Sequence, residues 1–511
     1  MSKLSDAYGY KVKTVSELLE AIGTFPREKK VVMCHGVFDL VHPGHLRHLL
    51  YAKDKANILV ASLTSDQHIN KAAYRPYVPQ ELRALNLAAL EFVDYVIIDD
   101  NATPLANLRE VMPDVFAKGF EYDNGQLHPK TVEELNVLNE YGGEILFTPG
   151  DVVYSSSTLI EKFPPNLSVE KLLAVLDGEG ICSEELFLAL NDFSDKKVLV
   201  VGDTIVDTLT HSTMIGGMSK TPTISVRRES VDSFVGGAGI VSKHIKAAGA
   251  NVELLTVLGE DILGHFVKED LARYGVTIHP VYETGRPTTE KNVIVAADYR
   301  LLKIDVVDNR PISNRTLETF IDIIKNRDYD LVIFSDFRHG IFNKTTISEL
   351  VSAIPDTTFK AADSQVASRW GNITDFKQFN LVCPNEREAR FSLADQDTGV
   401  RPLVAKLRQA SKSDVVIMKM GERGVMVCRS DNENDVRSSF VIDSFASDVI
   451  DPVGAGDALL AYASLSLCSN QSPVIAAVLG SIAAALECAV DGNEPILPED
   501  IRLRLEKIFS M

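Results

Sequence analysis

Along the first 160 positions the apolar residues come in short continuous runs, not in strict alternation. Val31-Val32-Met33, Ile58-Leu59-Val60-Ala61-Ser62-Leu63, Val93–Ile98, Val115-Phe116-Ala117 and Glu144-Ile145-Leu146-Phe147 each read as a strand buried on both faces. Amphipathic stretches at 13–24, Arg47–Lys55 and Glu81–Glu91 separate them and predict helices. Strands alternating with helices predict a parallel sheet covered on both sides. A last helix is expected around Ser157–Phe163, and Pro164-Pro165-Asn166 breaks it and marks a boundary.

Beyond the boundary, a helical stretch from about Val169 to Leu190 reads as a linker. Lys197-Val198-Leu199-Val200-Val201-Gly202-Asp203 then starts a new strand and turn, and further strands are expected at 253–258, 330–335, 379–383, 415–418 and 425–428. Residues 204–235 and 287–306 are richer in β-branched and polar side chains and predict a small β-lid. The expected organisation is therefore two doubly wound α/β domains, 1–163 and 196–511, joined by 164–195. A chain of 511 residues is long enough for each to bury its own core.

Composition changes the picture mainly by exclusion. The formal net charge of -19 argues against nucleic acid or an anionic membrane as the main partner, since both need a basic face. The longest apolar stretch, Val474 to Leu486, falls short of the roughly 20 residues that span a bilayer. The N-terminus lacks the apolar segment of a signal peptide. The six cysteines, Cys34, Cys182, Cys383, Cys428, Cys468 and Cys488, show no CxxC pairing and read as reduced thiols of a cytoplasmic protein.

Two turns carry candidate chemistry. The first, Gly36-Val37-Phe38-Asp39-Leu40-Val41-His42-Pro43-Gly44-His45, follows the first apolar run and precedes a helix. In a parallel sheet that is the ligand-binding edge. Gly44 lets backbone approach a phosphate, the helix N-terminus offers free N–H groups, and His42 and His45 can donate to phosphate oxygens. Such donors stabilise charge building on an α-phosphate and a leaving pyrophosphate. The bland alternative is a surface turn with incidental histidines, or a metal pair.

The stretch 13–163 resembles the cytidylyltransferase-like nucleotidyltransferases. The resemblance implies phosphate roles for Gly36, Phe38, Asp39, His42, Gly44, His45 and for Lys71, which follows Thr64-Ser65-Asp66. It extends to Arg75-Pro76-Tyr77-Val78-Pro79 with Arg83, to Lys118-Gly119-Phe120-Glu121-Tyr122, and to the cluster Ser155-Ser156-Ser157 ahead of Thr158. Bland readings stay open here: Arg83 as a solvated helix residue, Lys118 as a loop cation, Asp39 as a residue that only orients the turn.

The second turn is Asp451-Pro452-Val453-Gly454-Ala455-Gly456-Asp457, at the head of an apolar helix. Gly454, Ala455 and Gly456 present consecutive N–H groups, an anion hole for a moving phosphoryl group. Asp457 is placed to take the proton of an attacking hydroxyl. Residues 197–508 resemble the ribokinase-like (PfkB) sugar kinases. The resemblance implies sugar contacts for Asp203, Asp207, Gly236 and Gly237. It implies an Asn385/Glu388 motif that organises phosphates and Mg²⁺, with Glu388 acting indirectly, and a nucleotide-bordering turn at Gly421. Three positions depart from the family pattern: Ile240 stands where relatives carry an asparagine, His339 where a lysine is expected, and Gln365 where Asp-Pro-Lys would end.

Together the two halves resemble the bifunctional heptose-7-phosphate kinase/heptose-1-phosphate adenylyltransferases, with the order reversed, since there the kinase comes first. The resemblance implies ATP and Mg²⁺ in both halves, sugar phosphates as substrates, and self-association as a homodimer. The expected product is ADP-heptose, a lipopolysaccharide precursor. Two alternatives stand beside it: a cytidylyltransferase using CTP and a polyol or sugar phosphate, and a transferase regulated by a non-catalytic, sugar-binding kinase-like module.

Overall fold

The computed structural model describes residues 2–69, 75–119, 129–148, 168–216, 224–297, 299–365, 372–431, 437–446, 449–470, 472–490 and 492–509. The chain divides into two compact units, residues 1–179 with 432–438, and residues 180–431 with 439–511.

In the first unit six strands, β1 (Val12–Lys13), β2 (Val31–Gly36), β3 (Ile58–Thr64), β4 (Tyr95–Asp99), β5 (Val115–Gly119) and β6 (Glu144–Thr148), form one sheet in the order β1-β4-β3-β2-β5-β6. Every pairing is parallel. The continuous apolar runs are explained by their two destinations. Val32 and Cys34 of β2 join a core with Leu49, Leu59 and Ala61, while Val31 and Met33 join one on the other face with Val60, Ile97 and Phe116. The strand order reverses at β2, between β3 and β5, and the carboxyl ends at such a switch point are where open parallel sheets take ligands.

Helices differ from expectation at their ends. The one expected at 13–24 spans Val15–Ile22, set by a capping box between Thr14 and Glu17 worth about 1 kcal/mol, and Val12–Lys13 is strand instead. The segment read as one linker helix is two, Ser168–Glu179 and Ser183–Ala189. Ala174 of the former packs with Tyr77, Val78 and Leu82, and Lys171 sits 3.9 Å from the Tyr77 ring. The expected helix at Ser157–Phe163 lies outside the described residues.

Among its described residues the second unit has thirteen strands: β7 (Lys197–Gly202), β8 (Thr204–Gly216), β9 (Ser225–Gly237), β10 (Asn251–Leu258), β11 (Thr277–Tyr282), β12 (Thr289–Ala296), β13 (Tyr299–Val306), β14 (Leu331–Asp336), β15 (Phe359–Ser364), β16 (Leu381–Val382), β17 (Val415–Lys419), β18 (Val425–Cys428) and β19 (Ser439–Ile442). Nine form the main sheet, ordered β11-β10-β7-β14-β15-β16-β17-β18-β19, and β13-β12-β8-β9 form the expected lid. The main sheet is parallel through β17 and antiparallel beyond it. Phe334, Phe342, Phe376 and Phe379 pack edge and face at centroid separations of 5.2–6.1 Å beneath it. Such geometry adds to simple area burial. All six cysteines are free, and Cys182 is exposed, not buried.

Candidate functional site

Each unit gathers polar side chains at the carboxyl ends of its parallel strands. In the first, the turn after β2 runs into the helix Pro43–Lys53. His42 is the N-cap; its Nδ1 accepts the Gly44 N–H at 3.1 Å, which leaves Nε2 to carry the proton. The His42 and His45 rings stack at 3.9 Å, and Phe38, held at a φ of 47°, meets His45 edge-on at 5.2 Å. Burial, then the neighbouring His42 and His48, pushes His45 down to about 4, so it is neutral at pH 7. His45 Nδ1 is buried with no partner. Sequence reasoning missed His48, one turn further on, although its spacing from His45 is the available signal. Its Nδ1 meets Thr148 Oγ1 at 2.8 Å.

Asp39 and Arg83 tie the loops together. Asp39 is buried, accepts the backbone N–H groups of Tyr77 and Val78 at 2.8 Å each, and lies 3.8 Å from Arg75 Nε. This is the orienting geometry that the sequence left as an alternative for Asp39. Arg83 is fully buried, not solvated. It donates to Val78 O at 2.9 Å, to Val37 O, to Thr64 O at 3.0 Å and to Asp66 Oδ1 at 2.5 Å. Lys118, at the end of β5, pairs with Glu134 and donates to Thr131 Oγ1 at 3.2 Å. Gly36 ends β2, and a side chain there would press on the Phe38 ring at 3.3 Å. Lys71 and Ser155, Ser156 and Ser157 lie outside the described residues.

In the second unit the helix Ala455–Asn470 starts at the glycine turn. Gly454 has a φ of 85° and accepts the N–H of Asp457 at 2.8 Å and of Ala458 at 3.0 Å. The first N–H groups of a helix have no intrahelical acceptor, so Ala455 and Gly456 present theirs at its head. Asp457 is half-buried in the field of the Asp363 and Asp207 carboxylates. Burial, then Asp363, pushes it up to about 8, against the pull of Lys419. Lys419, at the end of β17, pairs with Asp363. Burial works against the Lys419 ammonium, but Asp363 and Glu388 outweigh it and hold its pKa above the usual range.

Asn385 and Glu388 form a reciprocal capping box at the head of Glu386–Leu393, with bonds of 2.7 and 2.8 Å. Gly421 and Gly424, both at positive φ, make the tight turn after β17. Asp203 uses one oxygen, Oδ2, to accept the N–H groups of Phe337 at 2.9 Å and His339 at 3.1 Å. Asp207 Oδ2 accepts from Asn493 Nδ2 at 3.1 Å, across 286 positions of sequence. A Cβ on Gly236 would stand 2.2 Å from that same oxygen, and one on Gly237 would stand 2.4 Å from Asp203 O, so both positions need glycine. Ile240 is wholly buried in the following helix.

Sequence reasoning also missed Asn493 and Glu487. Glu487 ends the helix Pro473–Glu487, is buried with neither carboxylate oxygen hydrogen-bonded though His244 Nε2 lies 3.9 Å from Oε2, and is pushed up to about 8 by burial and then by Asp457. A side chain at Gly454 would reach 2.7 Å from it. No local pattern marks either residue.

A glycine turn at a helix head, a carboxylate inside it and a β-lid above a parallel sheet define a phosphoryl-transfer unit for a small hydroxylated acceptor. The family model of pfkB carbohydrate kinases matches residues 195–500, and the chain belongs to that family. A second model, cytidylyltransferase-like, matches residues 33–162, ahead of the kinase. Among curated relatives, the bifunctional protein HldE of Desulfatibacillum aliphaticivorans is 27% identical over 338 residues, 65% of this chain and 66% of that protein. HldE of Campylobacter concisus is 39% identical over 117 residues, 22% of this chain and 25% of that protein. The matched stretches thus span less than two thirds of these relatives. Escherichia coli phosphofructokinase-2, solved with substrates and products, shares the fold of the kinase unit at a TM-score of 0.52 and 15% identity, covering 61% of this chain and 99% of that one. Among the described residues no helix is long and apolar enough to cross a membrane.

Proposed function

We propose that the chain makes a nucleotide-activated sugar in two transfers, with ADP-heptose from heptose 7-phosphate as the pathway. In the kinase unit Asp457 takes the proton of the anomeric hydroxyl, that oxygen attacks the γ-phosphorus of ATP, the N–H groups of Ala455 and Gly456 hold the oxygens of the phosphoryl group in transit, and ADP leaves in line on the side opposite the hydroxyl. The 1,7-bisphosphate must then lose its 7-phosphate in a separate hydrolysis. In the transferase unit an oxygen of the sugar 1-phosphate attacks the α-phosphorus of ATP, and pyrophosphate leaves past His42 and His45. His45 is neutral there, and no covalent intermediate is needed.

The observation that carries this reading is Asp457 itself: a carboxylate at the helix head, beside Lys419 and within the field of Asp207, whose pKa near 8 suits a base at neutral pH. Asp207, Asn493 and Gly236 would form the sugar floor, and Asp203 would brace it through its bonds to the loop after β14. Gly44, Arg75 and Lys118 would line the transferase crevice. Mg²⁺, implied by both families, suits the donor set. No three His, Cys, Asp or Glu side chains converge among the described residues, yet Asp363 Oδ1 is buried without a partner beside Lys419. Mg²⁺ keeps waters and phosphates as ligands, so Asp363 and Glu388 would sit at its edge while it neutralises phosphate charge.

The test is mass spectrometry of products after incubating the protein with Mg²⁺, ATP, CTP and a panel of sugar 7-phosphates and 1-phosphates. A heptose bisphosphate from the 7-phosphate and ADP-heptose from the 1-phosphate are expected. Use of CTP alone would move the transferase to the cytidylyl reading, and no ATP consumption with any sugar would leave the kinase unit a binding module.

A further inference from the structure

An acceptor of this kind carries a second phosphate remote from the reacting hydroxyl, and the loop after β14 offers His339 where a lysine is expected. Resting on the kinase reading above, we propose that Lys291 and Lys303 of the lid hold that remote phosphate and so determine acceptor specificity.

The lid register places them. Lys291 on β12 lies opposite Asp207 of β8 and Asp305 of β13, and Val293 lies opposite Lys303. Residues two apart share a face, so Lys291 and Lys303 are diagonal neighbours on the face that bears Asp207. That face looks onto the proposed sugar floor, because the Asp207 carboxylate is bonded to Asn493.

Lys291 is half-buried, its Nζ 5.0 Å from the centre of the Phe337 ring, and it forms no ion pair with a described residue. Lys303 lies 3.6 Å from Asp305. Burial lowers the Lys291 pKa, Asp207 offsets this, and Lys303 lowers it further. His339 stands in the same field: burial, then Lys291 and Lys303, push it down to about 4. Its Nδ1 is buried with no partner.

Two ammonium groups, whose charges oppose each other, and a neutral imidazole thus face one space, while Asp207 and Asp305 balance the lysines only in part. A phosphate entering that space would meet two cations and a ring nitrogen, and would relieve the repulsion. The lid would close over the sugar with the charge of the remote phosphate as its anchor. This also accounts for His339: a third lysine would add repulsion that a neutral imidazole avoids.

The test compares the full-length wild type with Lys291→Ala, Lys291→Arg and Lys303→Ala on heptose 7-phosphate and on unphosphorylated heptose, with ATP and Mg²⁺. The readout is the ratio of kcat/KM for the two acceptors. Losing one charge-assisted contact should lower that ratio about 10–100-fold in Lys291→Ala, mainly through the KM of the phosphorylated sugar. Lys291→Arg should recover part of it, and Lys303→Ala should lower it less. An equal loss on both acceptors in Lys291→Ala, or an unchanged ratio, would overturn the proposal. A wild type that phosphorylates heptose but shows no preference for the 7-phosphate would overturn it too. Absence of any sugar-dependent ATP turnover in the wild type would refute the kinase reading and the proposal with it.

Discussion

Replacing Asp457 by asparagine should separate catalysis from stability, in opposite directions. Its carboxyl titrates near 8 in the folded chain against an ordinary value of 3.8, and burial is the main cause. A group raised in this way costs nothing when protonated in both states. As pH rises past 3.8 the unfolded chain releases the proton first, so the folded state loses stability until the folded carboxyl also ionises near 8. A completely dry site would make that loss ~6 kcal/mol. Asp457 is only half-buried, and Lys419 lies close by, so about 2 kcal/mol is the better figure. An asparagine side chain keeps the shape without the charge. The expected result is an Asp457→Asn chain that is more stable than wild type by about 2 kcal/mol at about pH 8–9, with the gap closing below about pH 4. Its kinase turnover should fall by about 10²–10⁴-fold. Denaturant unfolding across pH, followed by hydrogen exchange of peptides from the second unit, reads the first. ATP consumption with sugar phosphate reads the second. In the wild type, kinase activity should rise with pH toward 8 and then level. An inflection near pH 4, or an asparagine variant no more stable at pH 9, would show that Asp457 does not carry a burial penalty. Either result would remove the physical basis for its role as a base tuned to neutral pH.

Arg83→Met should destabilise the first unit by about 3–5 kcal/mol, because it strands Asp66 and three backbone carbonyls that the guanidinium now satisfies; hydrogen exchange of peptides from β2 and β3 measures it, and a change confined to the KM for nucleotide would instead mark Arg83 as a substrate contact. Gly236→Ala should drive a methyl against Asp207 Oδ2 and raise the sugar KM at least about 10-fold while nucleotidyl transfer in the other unit proceeds as before, as separate assays of the two half-reactions would reveal. His45 and His48 both sit near 4, below the 6.5 of a free imidazole, so the first unit should lose stability as pH falls from 6.5 toward 4, where the unfolded chain alone takes up protons. His48→Gln should make that slope shallower, and an unchanged slope would refute the assignment.

Local chemistry made much of the architecture legible. Runs such as Ile58–Leu63 and Leu331–Phe334 are apolar at nearly every position because both faces of those strands are covered, and that pattern is in the order of residues alone. The lid was legible because its strands are half-exposed and β-branched. The strands that escaped notice, β1, β11, β15 and β19, are a two-residue edge, a second edge, an alanine- and serine-containing segment and a four-residue end, each weak in local signal.

The same division holds for the sites. HxGH and GAGD could be read directly, since each is a glycine-containing turn whose work is done by adjacent residues at one helix head. Whether Arg83 points to solvent or to four acceptors within the fold, and whether Asp39 touches phosphate or two backbone N–H groups, depends on chain that returns from elsewhere. Asn493 meets Asp207 from 286 positions away, and Glu487 lies behind Gly454 with no neighbour in sequence to announce it. By itself, then, the sequence determined two α/β units and the two glycine turns proposed to handle phosphate, because backbone periodicity and glycine geometry are local properties. Only the tertiary structure decided which carboxylates and lysines share a field, because burial and Coulomb energy depend on distance through space, which the order of residues along the chain does not state.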